Sequence, residues 1–261
     1  MNRVDIIVII VLCICIILAY RIIKKGHCHN CSDCHKNCGG KKDGRERTFS
    51  VRGASGTCGC DAELIKSFEA NNMTLMFVKN QTELETYLKS ILKDGKKVAV
   101  GGSVTLNQMG VVDLLRTSDV HFIDRYEEGL SRDVMEDRFR EAFYADLFIT
   151  STNALTMDGC LYNVDGTGNR VAAMIFGPKE VIVIAGLNKI CQDEAGALSH
   201  IKNCSAPANA IRLNKKTPCV KTGRCMECHS PERICSSFVK LGYQGKVNRM
   251  KVIIVEDYLG Y

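Results

Sequence analysis

What the chain lacks bounds it first. It has no concentration of one charge: 35 Lys and Arg stand against 29 Asp and Glu, a formal net charge of +6. The basic residues are scattered except near the N-terminus. A phosphate-binding surface needs clustered cations rather than a mild surplus, so no nucleic-acid partner is expected. The chain also lacks the even spread of cysteines that staples a small secreted domain. Of 15 cysteines, eight precede Asp61, four lie between Cys219 and Cys235, and only Cys160, Cys191 and Cys204 fall between. Clusters at the two ends point to metal sites rather than a disulfide framework. Finally, the turn Gly101-Gly102-Ser103 has neither the lysine of a Walker loop nor the third glycine of a dinucleotide fingerprint. What remains is ordinary globular composition, 46% hydrophobic and 25% charged over 261 residues, enough for one large or two small cored domains.

The N-terminus carries a long apolar run. Residues 6–23 are apolar apart from Arg21. At helical rise they reach about 27 Å, enough for a hydrocarbon core of roughly 30 Å if Arg21 snorkels. Leu18-Ala19-Tyr20-Arg21 is a poor cleavage site, which favours a span over a signal peptide. Arg21, Lys24 and Lys25 follow the run, whereas Arg3 before it is balanced by Asp5, so the rest of the chain is expected on the cytoplasmic side. The chain then divides into a transmembrane helix (1–25), a cysteine-rich segment and linker (26–60) and an α/β domain (61–261). Within the second part, Cys28, Cys31, Cys34 and Cys38 follow the C-x2-C-x2-C-x3-C spacing of ferredoxin ligands. Gly39 replaces the usual proline and no ferredoxin fold surrounds the run. Labile binding of iron or another metal, helped by His27, His29 and His35, therefore stands beside a defined cluster and a tuft of free thiols. With Asn2-Arg3-Val4-Asp5, the apolar span and Lys24-Lys25, residues 1–40 resemble the FeoB-associated cysteine-rich membrane proteins. That resemblance implies a link to ferrous-iron uptake.

The third part alternates strand-like and helix-like stretches. Glu63 to Asn71 reads as a short amphipathic helix and Thr74 to Val78 as a strand. Thr82 and Glu85 offer a capping box for a helix burying Leu84, Leu88, Ile91 and Leu92. Val98-Ala99-Val100 is a strand, Val111 to Arg116 a helix, and Val120 to Ile123 a strand in which His121 is expected to be a core histidine. Ser131 to Phe143 is a helix expected to turn Val134, Met135, Phe139 and Phe143 inward. Ala145 to Thr150 and Val181 to Gly186 are too apolar to have a wet face, as is usual in a parallel sheet covered on both sides. Met250 to Val255 supplies a last strand. A layered α/β domain with a mostly parallel sheet is the expected fold.

The ligand crevice of such a sheet lies outside the carboxyl ends of its strands. The glycines and small polar residues fall there: Gly101, Gly102 and Ser103 after one strand, Thr152 and Asn153 after another, then Asp165, Gly166, Gly168, Asn169 and Arg170, with Lys189 past a third. Arg170 is a candidate to pair bidentately with a carboxylate or phosphate, Lys189 a second positive charge, and Asp165 a base or an orienter of Arg170. Thr152 and Asn153 would bond a ligand carbonyl. The plainer reading is that Ser103 caps a helix and that Asp165, Asn169 and Arg170 tie down a glycine-rich turn. A small anion is the ligand that the first reading implies.

Gly101-Gly102-Ser103-Val104-Thr105-Leu106, Thr152 to Thr156 with Asp158-Gly159, Asn163 to Ala173, and Gly186-Leu187-Asn188-Lys189-Ile190 resemble the LUD (lactate-utilisation) domain family over about residues 62–261. The resemblance implies a fold like that of the ribose-5-phosphate isomerase, glucosamine-6-phosphate deaminase (NagB) and CoA-transferase group. It also implies a role in bacterial oxidation of L-lactate alongside iron–sulfur subunits, and it carries over no catalytic residue. Near the C-terminus, Cys219, Cys225, Cys228 and Cys235 form a C-x5-C-x2-C-x6-C series in a turn-rich stretch, a donor set for zinc or a [4Fe–4S] cluster. LUD-like sequences with this ending share it. The expected function is an accessory or electron-transfer subunit, membrane-tethered, in the utilisation of lactate or a related 2-hydroxy acid. A metal-handling membrane protein, or an enzyme acting on a phosphorylated sugar or CoA ester, are the rival readings.

Overall fold

The computed structural model describes residues 59–261 except Asp94. The expected membrane span and the N-terminal set Cys28, Cys31, Cys34 and Cys38 lie outside the described residues. Among the described residues no helix is long and apolar enough to cross a membrane.

The described part is one compact unit, Gly59–Tyr261. It opens with α1 (Gly59–Ala70), β1 (Thr74–Val78), α2 (Gln81–Ile91), β2 (Lys97–Val100), α3 (Val104–Gln108), α4 (Val111–Thr117) and β3 (His121–Ile123). Then come α5 (Arg132–Glu141), β4 (Leu147–Thr150), β5 (Ala154–Thr156), β6 (Leu161–Asp165), α6 (Asn169–Ile175), β7 (Glu180–Gly186) and β8 (Ile190–Cys191). The chain closes with α7 (Glu194–His200), α8 (Ala206–Arg212), α9 (Pro218–Thr222), β9 (Ser237–Leu241) and β10 (Met250–Val255). Six strands form one sheet in the order β1-β10-β7-β4-β2-β3. Every pairing in it is parallel.

The two-residue period of the strands sorts their side chains between two cores. Val181, Val183, Val252, Ile254, Ala99 and Phe148 face the layer that holds Leu64 and Phe68 of α1 and Met174 of α6. Ile182, Ile184, Ile253, Val98, Leu147 and Ile149 face Leu84 and Leu88 of α2 and Leu106 and Leu115 of the α3–α4 pair. Each such aliphatic side chain fully buried contributes roughly 1.5–3 kcal/mol, which is why these central strands have no polar face. The α/β fold with a mostly parallel sheet is therefore as the sequence suggests.

Several local expectations are corrected. The first helix starts at Gly59, before Glu63. The cap of α2 is Asn80, not Thr82: its side chain accepts from the Glu83 N–H at 3.1 Å, and Glu83 Oε2 accepts from the Lys79 N–H at 2.8 Å. His121 is no core residue; it lies on the edge strand β3 with its side chain 62% exposed, near Glu141. Val134 also points outward, at 43% exposure, and α5 has no fully buried residue. The largest difference is a second sheet, in the order β8-β5-β6-β9, from stretches read as polar connections. Here β6 runs antiparallel to both β5 and β9. Its own core joins Ala154, Tyr162 and Val164 to Ala197 and Ile201.

Candidate functional site

Because the six strands run parallel, their carboxyl ends open on one edge, and the segments leaving them meet there. Gly101–Ser103 leaves β2, residues 124–126 leave β3, residues 151–153 leave β4, Leu187–Lys189 leaves β7 and residues 256–261 leave β10. The two glycine-bearing turns singled out in the sequence converge. A Cβ on Gly101 would overlap the Thr150 hydroxyl and stand 3.2 Å from Arg170 Cγ, so only glycine fits. Gly102 is exposed, and a Cβ there would lie 3.4 Å from the Arg125 guanidinium. Ser103 caps α3, its hydroxyl accepting from the Leu106 N–H at 3.4 Å, while its own N–H donates to Tyr126 Oη at 3.3 Å. At five residues, α3 is too short to offer an anion more than a weak dipole.

Arg170 and Asp165 form a buried pair, each 9% exposed. Arg170 donates to Asp165 Oδ1 from Nε at 2.9 Å and from Nη2 at 2.6 Å. Its Nη1 donates to the Ser151 carbonyl at 2.6 Å and to Asn163 Oδ1 at 2.8 Å. Its Nη2 also reaches Asn153 Oδ1 at 2.9 Å. Asp165 Oδ2 accepts from the Val171 N–H at 3.1 Å, and Asn153 Oδ1 accepts from the Val164 N–H at 3.0 Å. All three guanidinium nitrogens are thus engaged by the protein, and the pair ties β4, β6 and α6 together. The plainer of the two sequence readings describes this corner. Thr152 is equally inward, its hydroxyl lying 2.8 Å from the Ala154 carbonyl and 3.1 Å from the Tyr162 carbonyl, either of which can accept its one proton. Gly168, at φ +83°, makes the left-handed turn into α6 that Asn169 opens. Gly166 backs onto Ile234, where a Cβ would lie 3.4 Å from the Ile234 Cα.

Lys189 is the opposite case. Its side chain is buried, at 3% exposure, and Nζ donates to the hydroxyls of Ser151 at 2.9 Å and Thr105 at 3.0 Å. No carboxylate among the described residues lies within ion-pair distance of it. Burial, and then the nearby charge of Arg170, pull its pKa down to about 7, opposed only by Cys204. Arg125, two residues past β3, likewise has no acidic partner among the described residues. It stacks on Phe139 at 4.4 Å and Tyr126 at 5.5 Å, and its Nε is buried without a hydrogen-bond partner. Burial holds Arg125 below the usual arginine range, Tyr126 and Asp165 oppose this, and Arg212 and Arg170 push it further down. At this edge Arg125 feels the charges of Arg170 and Arg212, Lys189 feels that of Arg170, and Asp165 is the carboxylate that offsets them at Arg170 and Arg125. Such an excess of positive charge suits a small anion.

Sequence reasoning named Lys189 and missed Arg125, Ser151, Thr105 and Arg212. Arg125 carried a usable signal, since a cation just past a predicted parallel strand falls on the ligand edge.

The four C-terminal thiols do come together around one recess. Cys219, Cys225, Cys228 and Cys235 line it with Pro207 and Ile234. Polar groups face the sulfurs: the Glu227 N–H donates to Cys225 Sγ at 3.4 Å, Arg233 Nη2 to Cys235 Sγ at 3.8 Å, and Thr217 Oγ1 lies 3.1 Å from Cys219 Sγ. Among the described residues, no three His, Cys, Asp or Glu side chains stand close enough to share one ion as placed. Four cysteines are the donor type that zinc or an iron–sulfur cluster takes, but among the described residues they are not placed to share one ion.

Comparison with known proteins adds the following. The LUD domain family model matches residues 62–255. No curated protein matches the chain. The crystal structure of a DUF162 family protein from Deinococcus radiodurans is similar at 15% identity and a TM-score of 0.43, over 75% of this chain and 95% of that one.

Proposed function

This chain belongs to the LUD domain family, and we propose that it binds a small carboxylate, a 2-hydroxy or 2-oxo acid, as an accessory or electron-transfer subunit in lactate utilisation. The observation that carries the reading is Arg125: a half-buried guanidinium without an acidic partner among the described residues, packed beside exposed Gly102 on the carboxyl edge of a parallel sheet. A carboxylate there would take the unused guanidinium N–H groups in a charge-assisted pair, the stronger class of hydrogen bond. Arg170 would contribute field rather than contact, since its own donors are engaged by Asp165, Asn153, Asn163 and Ser151.

The rest of the reading follows the thiols. Cys219, Cys225, Cys228 and Cys235 would hold a [4Fe–4S] cluster or a zinc ion. A cluster would supply one-electron transfer and zinc only rigidity. The neighbouring Glu227 N–H and Arg233 side chain would tune it through their contacts with Cys225 and Cys235. Residues 6–23 would anchor the chain at a membrane with this domain in the cytoplasm, and iron–sulfur subunits of the lactate-oxidising system would be its partners. The fold group that the LUD resemblance implies, that of the isomerase, deaminase and CoA-transferase enzymes, makes an enzyme on a phosphorylated sugar or CoA ester the second reading. The same cationic edge would serve that enzyme's anionic substrates. Calorimetric titration of the full chain with L-lactate, pyruvate and ribose 5-phosphate decides between them. Binding of the small acids, lost at least about tenfold in Arg125→Met, supports the proposal, on the scale of a charge-assisted hydrogen bond. Binding of the sugar phosphate alone, or equal binding by the variant, overturns it.

A further inference from the structure

Lys189 has a chemistry that binding alone does not use. Its amine is held by two hydroxyls, Ser151 Oγ at 2.9 Å and Thr105 Oγ1 at 3.0 Å, on segments leaving β4 and β2. Those hydroxyls are themselves in contact at 3.5 Å, so amine and hydroxyls form a closed triangle that can pass a proton. Two further polar groups sit unpartnered on the helical stretch whose electrostatics couple to this amine. His200 Nε2 is buried with no hydrogen-bond partner, and the charge on Lys189 lowers the pKa of His200 after burial itself. Ser205 is fully buried and its hydroxyl is unpaired. Between them runs a π-helical turn, Ile201–Ser205, a rare distortion that recurs at functional sites. A buried amine held by two hydroxyls, with no carboxylate among the described residues to pair it and an imidazole within its electrostatic reach, is an arrangement for covalent chemistry rather than for a structural ion pair.

Resting on the carboxylate-binding reading of this edge, we propose that Lys189 captures the carbonyl carbon of a small 2-oxo acid as an imine. The neutral amine nitrogen attacks the carbonyl carbon and the C=O π electrons move to oxygen. A proton passes from nitrogen to that oxygen through the Ser151 and Thr105 hydroxyls. The second amine proton follows the same path to the hydroxyl, which departs as water as the nitrogen lone pair closes C=N to the lysine. Arg125 holds the acid's carboxylate. The amine lies beneath the C-terminal segment: a Cβ on Gly260 would stand 3.5 Å from Nζ. That segment is held by side-chain acceptors, with the Leu259 N–H donating to Asn188 Oδ1 at 3.0 Å and the Gly260 N–H to Gln108 Oε1 at 2.7 Å. Capture proceeds as it lifts.

The test is reductive trapping on the full chain. Protein is incubated with pyruvate and cyanoborohydride at pH 7, digested, and every lysine is scored by mass spectrometry. With a pKa of about 7, about half of Lys189 is neutral at that pH. For a solvent lysine the neutral fraction is roughly one in a thousand, so the adduct at Lys189 is expected to exceed that at any exposed lysine by more than about tenfold. The site is read on the wild-type chain, so no variant has to fold. Lys189→Arg, which keeps the charge, is expected to lose the adduct. Adducts spread over exposed lysines with Lys189 unmodified would overturn the inference. Pyruvate binding by titration without a Lys189 adduct would overturn the imine and leave the carboxylate site standing, whereas failure of both would remove the two together.

Discussion

Arg170 and Lys189 are buried cations on the same edge of the same sheet, and their surroundings differ in one respect. Arg170 faces Asp165, and each of its nitrogens donates to a protein oxygen. Lys189 faces Ser151 and Thr105, which carry no charge, and feels Arg170 as a repulsion. Burial alone would rank the two alike. The counter-charge separates them: the paired cation holds three elements of the fold in register, and the unpaired one is destabilising unless it serves something else. The same distinction separates Arg170 from Arg125 and sets the candidate site on the Arg125 side.

The strongest way to break this contrast is to treat the two cations alike. Asp165→Asn removes the counter-charge of Arg170 and should cost roughly 3–5 kcal/mol in denaturant unfolding, the usual consequence of stranding a buried charge. A loss under about 1 kcal/mol would mean the pair is not structural. Lys189→Met should do the reverse. With the folded-state pKa near 7 and the unfolded one near its ordinary value, both states are protonated below pH 7 and the penalty of the buried charge is fully present. As pH rises from about 7 towards about 10.5 the unfolded chain binds the extra proton, so wild-type stability rises across that window. The methionine variant should be more stable than wild type at pH 6 by a few kcal/mol, since each pH unit of that window is worth about 1.4 kcal/mol. Its unfolding free energy should lack the wild-type slope. A variant less stable at pH 6 would contradict the assignment.

A smaller effect sharpens the comparison with the cysteine segment. Cys225→Ser with Cys228→Ser should abolish anaerobically bound iron or zinc, measured by metal and sulfide analysis. Unfolding of the parallel sheet should then shift by less than about 2 kcal/mol, because neither residue belongs to the two main cores. Metal retained in the double variant would move the site elsewhere. The smallest effect is at Asn80: replacement by Ala should cost about 1 kcal/mol through loss of the α2 cap, and an equal loss from Thr82→Ala would contradict the cap observed here.

How much of this was legible follows from the range over which each signal acts. β7 and β10 announce themselves as continuous Val and Ile runs because both faces are covered, and β4 does so for the same reason. The second sheet was hidden because its strands are short and carry Asn163, Asp165, Thr156 and Ser237 beside their apolar residues. The α2 cap moved by two residues since Asn80-Gln81-Thr82-Glu83 offers overlapping cap patterns, and geometry chose the earlier one. The parallel-sheet rule puts the Gly101 turn on the ligand edge, whereas the Asp165–Arg170 turn leaves β6 of the second sheet and reaches that edge through a tertiary contact no local pattern announces. Which cation would be neutralised could not be anticipated either, because Lys189 meets Thr105 across 84 positions of sequence and no local pattern says that an acid is missing there.

The most direct test of the central claim is a crystal structure of the full chain grown with pyruvate. The account predicts the carboxylate against Arg125 beside Gly102, with the carbonyl carbon directed to Lys189 and Arg170 still bound to Asp165. A pyruvate seated on Arg170 with Asp165 turned away, or a carboxyl edge filled only by protein side chains while the acid binds elsewhere, would contradict it.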